Sequence, residues 1–216
     1  MIKHDEPFYG KYTEESGGGG GGDGKYKLFD RIKDDTNTEI GSVSGFFTDA
    51  NNNKYAVVFL DAKYRGADLK YCSVQQTITN LPEMNNIVNS FWGNEQGTAT
   101  FNTQKILDFC DANAATSTGC EHCRSKSFII DGTTYYGQLP NMKQLFDISL
   151  NISELQRIDT SSSSYQDFNF GESKHWWSST QFNNVAAWLL GGQGTFVNAN
   201  KTYSRYICPI LELPMD

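Results

Sequence analysis

From Lys25 onward the apolar residues come in short runs separated by polar turns, a grain that predicts strands before helices. Gly45-Phe46-Phe47-Thr48 and Tyr55-Ala56-Val57-Val58-Phe59-Leu60 flank an Asn-rich connection from Asp49 to Lys54 and read as a β-hairpin. The period then changes. Ile106, Leu107, Phe109 and Cys110 share one face of the segment Asn102–Cys110, which predicts a helix of about three turns capped by Asn102 or Thr103. A second helix is predicted after Leu139-Pro140-Asn141, with Met142, Leu145, Phe146, Ile148 and Leu150 as its core stripe and Leu155 and Ile158 extending it. Asp159 to Tyr165, with its serine run, reads as a loop. Short strands follow at Trp176–Thr180, Ala186–Leu190 and Thr195–Asn198, closed by Tyr206–Leu211. Strand alternation sends Trp176 and Trp177 to opposite faces; Trp177 and Trp188 are assigned to the core and Trp176 to a ligand contact. The expected fold class is α+β.

The start of the chain has no such grain. Residues 1–15 are polar and aromatic without periodicity, and they lead through Ser16 into six consecutive glycines, Gly17 to Gly22. Polyglycine loses the most entropy on ordering, so 1–24 is expected to be an anchoring arm with a flexible hinge, and 25–216 the folded domain. Gly19 to Gly24-Lys25 matches the spacing of a phosphate-binding loop, but Tyr26 stands where a Ser or Thr hydroxyl must reach magnesium, and no apolar strand precedes it.

Charge and composition narrow the chemistry. Eighteen Lys and Arg against 25 Asp and Glu give a net charge of −7 with no basic run, which excludes a phosphate backbone as partner. No window approaches the ~18 apolar residues of a spanning helix, so no membrane insertion is expected. The first residues lack an apolar leader, and synthesis and folding in a cytoplasm are expected. The five cysteines, 72, 110, 120, 123 and 208, are then expected as reduced thiols. Cys110, Cys120, His122 and Cys123 have the donor types for zinc, but His122 inside Cys-x-x-Cys is cramped, and small neighbours suit free thiols or one loop-closing disulfide. No metal or cofactor is assigned. There is no Gly-x-Ser-x-Gly, and of the three histidines only His175 lies near the C-terminal strands, more in keeping with a strand-end residue than a general base.

Gly137-Gln138-Leu139-Pro140-Asn141-Met142-Lys143-Gln144-Leu145, Trp177-Ser178-Ser179-Thr180, Ala187-Trp188, Lys201 and Arg205-Tyr206-Ile207-Cys208-Pro209-Ile210 occur in an order that resembles the C-type-lectin-like fold. More narrowly they resemble its bacterial and phage branch, with an LPT-x-x-EL … WSST … AW … VRPV pattern, which includes the target proteins of diversity-generating retroelements. The resemblance spans 137–211 well and 40–211 loosely. Asn141 and Gln144 depart from the usual Thr and Glu, and Tyr206-Ile207-Cys208 departs from the terminal motif. The Glu-Pro-Asn and Trp-Asn-Asp motifs of calcium-dependent lectins have no counterpart, and Cys208 stands alone where formylglycine-generating relatives carry a cysteine pair.

The resemblance implies two helices packed on short antiparallel strands, with a C-terminal segment that varies to change ligand. Its binding face would comprise Phe182, Asn183, Asn184, Val185, Leu189, Gly191, Thr195, Asn198, Tyr203, Arg205 and Tyr206, beside the contact assigned to Trp176. Trp177, Ser178, Ser179, Trp188 and Lys201 would be its fixed scaffold. The function implied is a non-enzymatic adhesion module on a phage virion, in a fibre, collar or capsid-attached position. It would bind a host cell-surface protein or glycan, contact virion structural proteins through residues 1–16, and assemble as a homo-oligomer. The alternatives are a decoration or assembly protein without receptor binding, and an enzyme related to the formylglycine-generating group.

Overall fold

The computed structural model describes residues 25–79, 81, 97–159, 174–191 and 194–215; the expected arm and hinge at 1–24 and most of the serine loop lie outside them. The Asn-rich hairpin forms between β2 (Glu39–Thr48) and β3 (Lys54–Leu60). Its turn is held by Asp49, whose carboxylate accepts from the amides of Asn51 and Asn53, both at 2.9 Å, while Asn52 takes the left-handed conformation that asparagine tolerates. With β1 (Arg31–Lys33) and the late strand β11 (Ile210–Pro214) these strands make a four-stranded antiparallel sheet in the order β1-β2-β3-β11. A second sheet runs β4-β10-β7-β8-β9, built from Gly66–Lys70, Ser204–Ile207, Trp176–Gln181, Ala186–Leu190 and Phe196–Asn200 respectively. The class is α+β, as expected.

The helices start where side chains cap them. Helix α1 spans Ala99–Ala112, with Thr98 accepting from the Phe101 amide, so it begins before the predicted caps. The Glu212 carboxylate accepts from the amides of Ala99 (2.7 Å) and Thr100 (2.9 Å), and this partner from β11 extends the helix toward its N-terminus. Asn102 and Thr103 are buried tethers instead: Asn102 donates to Ser179 Oγ at 3.1 Å and Thr103 Oγ1 accepts from the Leu139 amide at 2.9 Å. The short helix α2 (Thr118–Arg124) and the hairpin β5 (Ser127–Ile130) to β6 (Thr133–Tyr136) were not anticipated. Helix α3 (Met142–Ile158) opens on a capping box in which Asn141 and Gln144 satisfy each other's backbone amides. Leu150, expected in its core stripe, is 56% exposed.

Strand β7 and its partner β8 are covered on both faces, and this decides the fate of the tryptophans. On one side Trp176, Trp188 and Leu190 pack against Met142, Leu145 and Ile148 of α3, with Phe47, Val57 and Phe59 of the first sheet beyond. On the other, Trp177, Ala187 and Leu189 meet Ile106 and Cys110 of α1 and Cys120 and Cys123 of α2. A third cluster lies between the first sheet and the β5–β6 hairpin. The predicted strand Tyr206–Leu211 is two strands in different sheets: at Cys208-Pro209 the chain leaves β10 and enters β11. Proline has no amide to continue a ladder, and Pro209 contributes only its carbonyl, which accepts from Leu60 at 3.3 Å.

Candidate functional site

The Trp-Ser-Ser-Thr-Gln run of β7 is a buried polar seam. Ser178 Oγ donates to the Trp188 carbonyl at 2.9 Å, the Ser179 amide donates to the Pro140 carbonyl at 2.7 Å, and Thr180 Oγ1 accepts from the first helical amide of α3, Met142, at 3.0 Å. Tyr71 donates its hydroxyl to the Ser179 carbonyl at 3.1 Å. A strand with this many small hydroxyls stays buried only because each finds a partner. Here they stitch the sheet to α1 and to the start of α3.

The seam ends at Lys201, whose side chain is 0% exposed. Its ammonium donates to Gln181 Oε1 at 2.5 Å, to the Gln76 carbonyl at 2.8 Å and to the Asn184 carbonyl at 3.3 Å, and lies over the Tyr71 ring at 5.8 Å. Gln181 Oε1 also accepts from the Ile78 amide at 3.0 Å. The Lys201 amide donates to the Val185 carbonyl, and its carbonyl accepts from the Cys72 amide, each at 3.0 Å. One residue thus ties together the loops at 72–78, 181–185 and 200–203. A buried cation is tolerated because several oxygens replace its water.

Around this base the candidate contacts divide. Asn184, Thr195, Asn198 and Tyr203 are exposed, Tyr203 at 53%. Phe182, Asn183, Val185, Arg205 and Tyr206 are half-buried. Asn183 is a turn residue, its Oδ1 accepting from the amides of Val185 and Ala186 at 2.9 Å each. Arg205 lies over the Tyr203 ring at 5.5 Å, and Phe182 meets Trp188 edge-on at 5.1 Å. Three expected contacts do not reach the surface. Trp176 is 1% exposed beneath the Tyr206 ring at 5.1 Å, because the sheet face assigned to ligand is roofed by α3. Leu189 is buried on the opposite face, and Gly191 is buried between Thr195 and His175. All five expected scaffold residues, Trp177, Ser178, Ser179, Trp188 and Lys201, are buried.

The cysteines are buried, and one close pair reaches outside the 110–123 cluster. Cys72 Sγ and Cys110 Sγ are 3.7 Å apart. His122 turns its Nε2 to within 2.9 Å of the Tyr64 carbonyl, and among the described residues no three Cys, His, Asp or Glu side chains converge as metal ligands. A cleft of about 310 Å³, sharing no residue with 174–207, opens between β6, α1 and β11 and is lined by Tyr55, Tyr135, Tyr136, Arg124, Gln138 and Glu212 among others. No sequence pattern marked it, because its walls come from five separated segments. No described helix is long and apolar enough to cross a membrane. Compared with protein-family models, with characterised proteins and with solved structures, the chain matches none.

Proposed function

We propose that the chain is a non-enzymatic ligand-binding display module of C-type-lectin-like fold, an adhesion protein of a phage virion that holds a host cell-surface protein or glycan. The observation that carries this reading is the Lys201 network. It fixes the loops bearing Asn184 and Tyr203 from below, leaving their amide and aromatic groups exposed above a rigid base. Loops ordered before binding lose less entropy on association, and Tyr with Asn is a common pairing in surfaces that recognise. The contacts proposed are Asn184, Thr195, Asn198 and Tyr203, flanked by Phe182, Asn183, Val185, Arg205 and Tyr206. Residues 1–16 would attach to virion structural proteins, and a symmetric homo-oligomer would multiply weak contacts.

The test is the binding of the labelled full chain to host bacteria, measured by flow cytometry. Tyr203→Ala with Asn198→Ala is expected to weaken binding at least about tenfold, as for hot-spot residues. Phe46→Ala, exposed on β2, is expected to leave it unchanged. Equal binding by all three proteins refutes the assigned face. Burial of that face between subunits in electron micrographs of the particle would establish the decoration reading in its place.

A further inference from the structure

We propose that Cys72 and Cys110 form a latent cross-link: in an oxidising medium their thiols join as a disulfide that fastens α1 to the base of the candidate binding loops. The sulfurs stand 3.7 Å apart across 38 positions of sequence, and both residues are buried. Neither backbone is free to drift. The Cys72 amide donates to the Lys201 carbonyl at 3.0 Å and its neighbour Ser73 donates to the Thr116 carbonyl at 2.8 Å; the Cys110 carbonyl, in the last turn of α1, accepts from Ala115 at 2.9 Å. A disulfide needs about 2.05 Å between sulfurs, a closure that side-chain rotation supplies when the backbones are already adjacent.

The five thiols are not equivalent. The Cys72 thiol is lowered below its ordinary value, first by its hydrogen bond with Cys110 and also by the Lys201 ammonium, and Cys110 is correspondingly raised. Burial pushes Cys120 and Cys208 up to about 12 and Cys123 well above its ordinary value. Cys72 is therefore the nucleophile and Cys110 the resolving thiol. The oxidant class is a small hydroperoxide, able to enter where a bulky disulfide cannot. With hydrogen peroxide, the Cys72 thiolate attacks one oxygen, the O–O bond breaks, and the departing hydroxide takes up the proton that Cys72 released. The sulfenic acid left behind is attacked by the Cys110 sulfur; the S–S bond forms and water leaves with the Cys110 proton. Two thiols lose two electrons in all, and one peroxide becomes two waters.

The consequence reaches the proposed face, since Cys72 is bonded to the Lys201 backbone and Lys201 holds Asn184. The sulfur geometry itself does not depend on the adhesion reading. The full chain, reduced and then freed of reductant, is treated with hydrogen peroxide and followed by intact mass, non-reducing peptide maps and thermal melting. Expected are a loss of two hydrogens, one linked peptide joining Cys72 to Cys110, and a rise in Tm of about 10 °C that dithiothreitol reverses and Cys110→Ser abolishes. Absence of the link, a link through Cys120, Cys123 or Cys208, oxygen added at Cys72 without a link, or a link without a Tm rise would each overturn the proposal. Should the Cys110→Ser chain not fold, the wild-type comparison with and without dithiothreitol decides alone. None of these readouts depends on a host cell, so failure here leaves the adhesion test standing.

Discussion

Replacing Lys201 with methionine keeps the stem of the side chain and removes its charge and donors. The Gln76 and Asn184 carbonyls, on two exposed residues, then lose their Lys201 bonds, while Gln181 Oε1 keeps the Ile78 amide. Each lost hydrogen bond to the charged ammonium costs about 1.5–3 kcal/mol, and a charge taken out of the interior returns part of that. A net loss of about 3 kcal/mol is expected, which lowers Tm by about 6–12 °C for a chain of this length. Urea unfolding followed by tryptophan fluorescence reads it directly: the midpoint should fall with the slope unchanged. On the proposed adhesion reading, binding to host cells should weaken as well, because the 181–185 and 200–203 loops lose their common tether. An unchanged or raised midpoint would refute the claim that the ammonium organises these loops, and would mean that solvation reaches Lys201 despite its burial.

Trp176→Ala should cost about 3–5 kcal/mol by leaving a large cavity between α3 and Tyr206, seen as a lower urea midpoint, since this ring is core rather than contact. Gly191→Ala places a methyl 2.8 Å from Thr195 Oγ1 and 3.1 Å from the His175 ring, and should cost about 1–3 kcal/mol. Gly41→Ala should be worse, because its methyl would lie 2.4 Å from the Phe59 carbonyl oxygen, a backbone atom that cannot rotate away. The pH dependence of stability should carry the mark of Glu212, whose carboxyl is raised from its ordinary 4.5 chiefly by burial. A folded state that holds this proton more tightly than the unfolded chain loses stability as pH rises from about 4.5 through the folded value. Glu212→Gln should flatten that limb in urea titrations across the same window; an unaltered limb would place its origin elsewhere.

The β2–β3 hairpin, the strands at 176 and 186 and the start of α3 were legible because local patterns specify them: alternation, an Asn-rich turn, a capping pair at Asn141 and Gln144. The Asp131-Gly132 turn between β5 and β6 was equally local, with both residues at positive φ, and was a missed signal rather than a hidden one. What the sequence could not disclose came from distant partners. Helix α1 starts at Ala99 because Glu212 lies over it from β11, and Trp176 is buried because α3 covers a sheet face that alternation alone leaves open. Of the candidate contacts, Asn184 and Tyr203 in loops and Asn198 on the edge strand β9 remained at the surface, whereas Gly191 is closed in by Thr195 and His175 and Leu189 lies in a strand packed on both sides. Period-two reasoning assumes one wet face, and it fails where both are dry.

The strand order β1-β2-β3-β11 also sets a tempo. Phe59 pairs with Ile210 and Val57 with Glu212, so the strand that completes the first sheet comes from far along the chain, after all of the second sheet. Folding rates fall as contacts become less local, and such a topology belongs with domains that close in milliseconds to seconds rather than microseconds. Until β11 arrives, the edge of β3 stays unpaired and α1 lacks the carboxylate at its N-terminus. The first sheet and the N-terminus of α1 are therefore completed together, and conditions that delay this step expose an apolar strand edge to neighbouring chains.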